Sequence, residues 1–258
     1  MWKALAPRED DPAHITALQI LIIDMRDIKR MAWILAHIPA LQHLDLEKSY
    51  RLLMDCDVDA EILKEFVNSG NTAQYPARLK TLRIVNMCWT KQSAEVFTSS
   101  MRLEKLETLQ LVECCEIGPL LEHLTQLRLN VSTLCIDRGG DVPRDGATIS
   151  AFIASLAAPK RLSLLCHVDQ PYDGQIDVDC LQKHAQSIEY LRLEDNNVTW
   201  LTYGNSGQAP QFCSFFENAS NLKQLALSGP EIDDETEVAE FLVSVYYSTI
   251  SHSLRPTT

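Results

Sequence analysis

One order of apolar and variable places recurs along most of the chain: an aliphatic residue, two variable residues, a leucine, one variable residue, and a second aliphatic. It reads Ile15-x-x-Leu18-x-Ile20, Leu41-x-x-Leu44-x-Leu46, Leu79-x-x-Leu82-x-Ile84 and Leu106-x-x-Leu109-x-Leu111. It returns at Val131-x-x-Leu134-x-Ile136, Ile188-x-x-Leu191-x-Leu193 and Leu222-x-x-Leu225-x-Leu227, with a proline-led copy at Pro159-x-x-Leu162-x-Leu164. Side chains alternate across a strand, so each copy predicts a short strand whose aliphatic places face a core and whose variable places face away. The central leucines stand 25 to 38 residues apart. A random chain of this leucine, isoleucine and valine content would show the pattern about twice, so the ordered series marks a genuine repeat. One further match, Leu124-x-x-Leu127-x-Leu129, breaks the spacing. Because Leu120, Leu121, Leu124 and Leu127 recur at helical intervals, that segment is predicted to be helix.

Between the strands lie stretches with apolar residues at helical spacing. Asp27 to Ala36 carries Ile28, Met31, Ala32 and Leu35, and Ala60 to Val67 carries Ile62, Leu63, Phe66 and Val67. Ser93 to Met101, Ile149 to Ala158, Asp179 to Gln186 and Phe212 to Ala219 repeat the arrangement. Each unit is therefore a strand, a turn, a helix and a return. One such unit cannot bury its own apolar face, but stacked units share a continuous core. Polar insertions are expected at 68–76, at Asp137 to Gly146 and at Asn196 to Pro210. The organisation expected is a short leader over 1–13, a repeat domain over 14–230, and a C-terminal capping helix and tail over 231–258.

These residues carry a resemblance to the leucine-rich-repeat family, covering roughly 14 to 230. The long, helix-containing units look like the ribonuclease-inhibitor and F-box-associated types, and their irregularity is similar to that of fungal F-box-like proteins. The family place for Asn or Cys, three residues past the last aliphatic, is kept at Cys114 and Asn196 and replaced elsewhere, as by Met87 and Gly139. The resemblance implies an α/β solenoid of about eight repeats, a horseshoe with parallel strands on its concave face and helices on its convex face.

Composition narrows the functions that fit. The net charge is −12, from 35 acidic against 23 basic residues, a poor counterion for phosphate, so neither nucleic acid nor an anionic membrane is an expected partner. The N-terminal residues lack the apolar core of a secretory signal, and the runs Leu18 to Ile23 and Met31 to Ile38 are too short to span a bilayer. A soluble chain in the cytoplasm or nucleus is expected. On that reading the eight cysteines are reduced, mostly buried thiols, and the sequons at Asn130, Asn197 and Asn218 are silent.

Signatures of catalysis are missing: there is no phosphate loop, dinucleotide fingerprint, zinc-protease helix or nucleophile elbow. Asp55-x-Asp57-x-Asp59 opens like a calcium loop, but Ala60 stands where glycine is needed and Phe66 where glutamate is needed. Cys114-Cys115 and Cys166-His167 are strand neighbours that point to opposite faces, so neither makes half a zinc site. No catalytic, cofactor-binding or metal-binding residue is expected.

Function then rests on the variable places of the strands. The candidate partner-binding residues are His43, Asp45 and Glu47, Arg83, Gln110, Asp137, Arg161, and Tyr190, Arg192 and Glu194. Arg and Tyr are the side chains that most often dominate protein interfaces. A non-enzymatic monomer that recognises another protein is expected, and the resemblance implies the substrate-binding repeats of an F-box-like ubiquitin-ligase adaptor, with the F-box itself absent from this chain. The alternative is a regulator of another enzyme, of GTPase-activating or ribonuclease-inhibitor type.

Overall fold

The computed structural model of the chain describes residues 3–4, 15–22, 38, 40–49, 78–139, 145–167, 177, 179–195 and 209–228. The helices expected at 27–36 and 60–67, the insertion at 68–76 and the C-terminal cap over 231–258 lie outside the described residues.

Among the described residues, nine strands form one sheet in chain order. They are β1 (Lys3–Ala4), β2 (Ala17–Ile22), β3 (His43–Lys48), β4 (Thr81–Val85), β5 (Thr108–Val112), β6 (Thr133–Gly139), β7 (Arg161–His167), β8 (Tyr190–Asp195) and β9 (Gln224–Ser228). From β2 to β9 every pairing is parallel, while β1, contributed by the expected leader, runs antiparallel along β2 with Lys3 opposite Gln19.

The register aligns the repeat. Leu18, Leu44, Leu82, Leu109, Leu134, Leu162, Leu191 and Leu225 stand opposite one another in a single row across the sheet. A slip of one residue would turn every one of these leucines to the other face, so burial of the row fixes the pairing. The second aliphatics form a parallel row from Ile20 to Leu227.

Among the described residues, five helices complete the units: α1 (Lys91–Ser100), α2 (Gly118–Gln126), α3 (Gly146–Ser155), α4 (Asp179–Gln182) and α5 (Ala209–Asn218). Phe97 of α1, Leu120, Leu121 and Leu124 of α2, and Ile149, Phe152 and Ile153 of α3 join the strand leucines in one core. Helix α1 starts at a reciprocal cap: Thr90 Oγ1 accepts from the Ser93 amide at 3.1 Å, and Ser93 Oγ accepts from the Thr90 amide at 2.8 Å. The off-register triplet is helical only at its start: Leu124 is buried in α2, Leu127 is exposed just past its end, and Leu129 is buried beyond it. Gly118 opens α2 where the chain meets Asp145, whose carboxylate oxygen would lie 2.5 Å from any Cβ placed there.

Two elements differ from expectation. The helix expected from Asp179 to Gln186 stops at Gln182. Beyond it the amides of His184, Ala185 and Ser187 reach back only three residues, to Leu181, Gln182 and His184. That tighter winding turns His184 inward, where its Nε2 lies 2.8 Å from the Ile153 carbonyl oxygen. The polar loop expected from Asp137 begins later, because β6 runs on to Gly139 and pairs Arg138 with Cys166 and Gly139 with His167.

A backbone seam ties the leading ends of the parallel strands together. The carbonyl just before each strand accepts two amides of the next unit: Lys80 receives Glu107 and Thr108, Glu107 receives Ser132 and Thr133, and Ser132 receives Lys160 and Arg161. The same double acceptance runs from Thr16 through Glu189.

At the trailing ends, Asn86 and Glu113 occupy the same place after β4 and β5 and share left-handed backbone, with φ of 59° and 52°. Cys114, at the family place, is buried, and its thiol lies 3.5 Å from the carbonyl oxygens of Ile84 and Val112.

The next residue overturns the expectation of uniformly reduced thiols: Cys88 and Cys115 are joined by a disulfide. Their equivalent places on stacked units bring their Cα atoms to 4.6 Å, inside the range a disulfide bridges. Cys135 and Cys180 carry free thiols. Burial, assisted by Asp177 and Asp179, pushes the Cys180 thiol up to about 12, so it remains protonated and inert.

Candidate functional site: the strand face away from the helices

The variable places of the strands stand in rows, as the leucines do. The leading row runs Ala17, His43, Thr81, Thr108, Thr133, Arg161, Tyr190 and Gln224. The middle row runs Gln19, Asp45, Arg83, Gln110, Cys135, Ser163, Arg192 and Ala226, and the trailing row Leu21, Glu47, Val85, Val112, Asp137, Leu165, Glu194 and Ser228. All ten sequence-derived candidates fall on these rows.

The register brings six of the ten into pairs. Arg83 Nη1 donates to both Asp45 carboxylate oxygens at 3.0 Å from the adjacent strand, and Gln19 approaches the same carboxylate at 3.4 Å. On β8, Arg192 donates through Nε and Nη2 to Glu194 Oε1, each 2.6 Å away, because residues two apart on a strand share a face. That pairing raises the Arg192 pKa above its ordinary value and holds the guanidinium charged. Between β7 and β8, the Arg161 guanidinium carbon sits 4.7 Å from the centroid of the Tyr190 ring, a cation–π contact.

The remaining four candidates differ in their exposure. His43 is exposed at the leading end of β3, while Glu47, Gln110 and Asp137 are half-buried. Gln110 lies opposite Arg83 on one side and Cys135 on the other. Burial raises the Cys135 thiol pKa, with Ser163 opposing the effect and Asp137 adding to it.

Two variable places of the trailing row point away from the strand leucines yet are closed to solvent. Val85 and Leu165 are only 6% and 8% exposed and offer no binding surface. Lys48, at the end of β3, follows the alternation of Leu44 and Leu46 and is buried with them.

Sequence reasoning also passed over a row at the leading edge. The residue two before each central leucine sits where the carbonyl seam runs, and in the second half of the sheet these residues are Lys160, Glu189 and Lys223. Lys223 Nζ lies 2.6 Å from Glu189 Oε2 and Lys160 Nζ 3.9 Å from Oε1, so one carboxylate serves two ammonium groups. The Lys223 hydrogen bond, with lesser help from Lys160 and Arg161, holds the Glu189 carboxyl below the usual carboxylate range. Nearer the middle of the sheet, Lys80 and Glu107 pair one to one at 3.3 Å. Lys160, Arg161, Glu189, Tyr190 and Lys223 line a half-open groove of about 300 Å³, with Thr133 beside them. The signal that could have found this row is the first variable place of every repeat, fixed in position as firmly as the other three.

Among the described residues no group of three or more His, Cys, Asp or Glu side chains is placed to hold a metal ion. No described helix is long and apolar enough to cross a membrane. Comparison of the chain with protein-family models and with curated proteins finds no match.

Proposed function

We propose that the chain is a non-enzymatic protein-recognition scaffold, a leucine-rich-repeat solenoid whose sheet is the concave face of a horseshoe and whose partner is another protein. The observation that carries this reading is the register that sets Arg, Tyr and carboxylate side chains in columns on one sheet face, opposite the face sealed by the helices. Eight strands at about 4.8 Å spacing give a display about 35 Å wide, ample for a standard protein interface. The arginines and Tyr190 on it are of the types that anchor interfaces. The family resemblance extends the proposal to the substrate-binding repeats of an F-box-like ubiquitin-ligase adaptor. The Cys88–Cys115 disulfide weighs against the expected cytoplasmic or nuclear setting, since reducing compartments keep thiols apart, whereas recognition by the strand face needs no particular compartment.

The test is an affinity capture with the intact chain, a strand-face variant (Arg83→Glu, Arg161→Glu, Arg192→Glu) and a helix-face variant (Glu95→Lys, Glu122→Lys). A partner held by the wild type and helix-face variant but lost by the folded strand-face variant supports the reading. Equal capture by all three overturns it. Co-recovery of a Skp-type adaptor with the same partner supports the ligase extension, and its absence leaves recognition without ligase membership.

A second reading draws on the net charge of −12, which suits a regulator that blocks a basic enzyme. Inhibition of a basic nuclease, or stimulated GTP hydrolysis by a GTPase, would favour it.

A further inference from the structure

The groove at the leading ends of β6 to β9 carries a charge opposite to that of the chain as a whole. Lys160, Arg161 and Lys223 meet there with Glu189 as the one carboxylate lining the groove among the described residues, a local excess of two positive charges in a chain of net charge −12. Neither ammonium is consumed by packing, since the side chains of Lys160 and Lys223 are 64% and 70% exposed. Glu189 is divided between them, close to Lys223 and at 3.9 Å from Lys160. Arg161 is steadied by the Tyr190 ring, which orders the guanidinium without occupying its N–H donors. The result is a set of preordered donors short of acceptors, the complement of a carboxylate pair.

We propose that this groove docks an Asp- and Glu-rich peptide segment of the partner protein, with Lys160, Arg161 and Lys223 as its anchors. The proposal rests on the reading of the strand face as a protein-recognition surface and names the chemistry of the segment recognised. Lys160 and Lys223 precede strands two apart, about 10 Å at the usual strand spacing, close to the span of three polyproline-II residues at about 3.1 Å each. A polyproline-II segment repeats every three residues, so its carboxylates at positions i and i+3 share one face and reach both ammonium groups. Nucleic acid suits the groove less well, because Glu189 stands midway between the lysines, where a continuous phosphate backbone would pass.

Fluorescence polarisation tests this with a labelled Gly/Ser peptide carrying Glu at every third position. The controls are the same peptide with Gln for Glu and a labelled oligothymidylate. The proteins are the wild type, Lys160→Glu/Lys223→Glu, the milder Lys160→Gln/Lys223→Gln, and Lys91→Glu at the exposed start of α1. The Glu peptide is expected to bind the wild type and Lys91→Glu alike, and to lose about tenfold in affinity in both lysine variants at unchanged urea-unfolding midpoints. The Gln peptide is expected to bind about tenfold more weakly than the Glu peptide, and binding should weaken with salt. Equal binding of the two peptides, retention by both lysine variants, or oligothymidylate binding as tight as the Glu peptide overturns the proposal. Competition against the captured partner separates the two readings. A partner lost by the strand-face variant yet not displaced by the Glu peptide sinks the acidic segment and leaves recognition standing. A partner indifferent to the strand-face variant sinks recognition itself.

Discussion

Arg83 reaches across from β4 and grips the Asp45 carboxylate of β3 through one nitrogen, 3.0 Å from each oxygen. Both side chains remain partly open to water, at 36% and 26% exposure, so screening keeps the pair modest. A double-mutant cycle of Arg83→Ala and Asp45→Ala, read by urea unfolding, should give a coupling of about 0.5 kcal/mol. A coupling several times larger would mean that the pair acts as a buried clamp rather than as part of an accessible display.

The central leucines should behave otherwise. Leu134 is fully buried in the middle of the leucine row, and Leu134→Ala should cost about 3 kcal/mol through lost burial and the cavity left behind. Leu127, identical in type but 39% exposed, should change stability by less than about 0.5 kcal/mol when replaced by alanine. Equal losses at the two sites would contradict the assignment of Leu124-x-x-Leu127 to a helix end.

The disulfide closes a loop between residues 27 apart in sequence. By the chain-entropy argument it contributes about 3.5 kcal/mol, which dithiothreitol should remove. Cys88→Ser should lose about as much and then be insensitive to the reductant. Mass spectrometry of a non-reducing digest should recover the peptides of Cys88 and Cys115 linked. If reductant leaves the wild-type midpoint unmoved, the bond is absent in solution or without consequence for folding.

His184 supplies a pH dependence. Its ring is buried with Nε2 against the Ile153 carbonyl, and burial lowers its pKa below the ordinary imidazole range despite that hydrogen bond. The folded state therefore keeps it neutral where the unfolded chain would protonate it. The unfolded state binds more protons at low pH, so the contribution is full above about pH 6.5 and is lost as pH falls through that value. The urea midpoint of the wild type should drop from pH 7.5 to about pH 5.5 more than that of His184→Gln, whose amide can still donate to Ile153. Parallel pH profiles would remove His184 as the cause.

The fold was legible in the sequence where two periodicities agreed. Alternation placed the aliphatic residues on one face, and the recurrence of Leu82 after Leu44, and of Leu109 after Leu82, placed the strands side by side. The off-register Leu124-x-x-Leu127 was separable because its neighbours kept a helical interval. What was hidden depends on three-dimensional adjacency. Cys88 and Cys115 each stand six residues past a central leucine, yet only stacking of the units brings them together. The shortened α4 follows from where the His184 ring goes, which no spacing reveals. Of the candidate site, the pairs Asp45–Arg83 and Arg192–Glu194 come from residues chosen for chemical type. The Lys160–Glu189–Lys223 edge was passed over because the first variable place of the repeat was not counted as outward. Val85 and Leu165 show the opposite error, since a variable place is outward by alternation but not thereby open to solvent.

The carbonyl seam has one more consequence. Because each strand takes its position from the two amides it sends to the unit before, the sheet is indifferent to how much chain intervenes: Leu44 meets Leu82 as squarely as Leu109 meets Leu134. Spacer length is free to drift on the helix side while the opposite face keeps a fixed lattice, about 4.8 Å in one direction and about 6.7 Å in the other. Each side chain on that lattice has an address set by its repeat and its row. A new specificity can thus be written by substitution alone, one address at a time, with no change to the backbone that carries it.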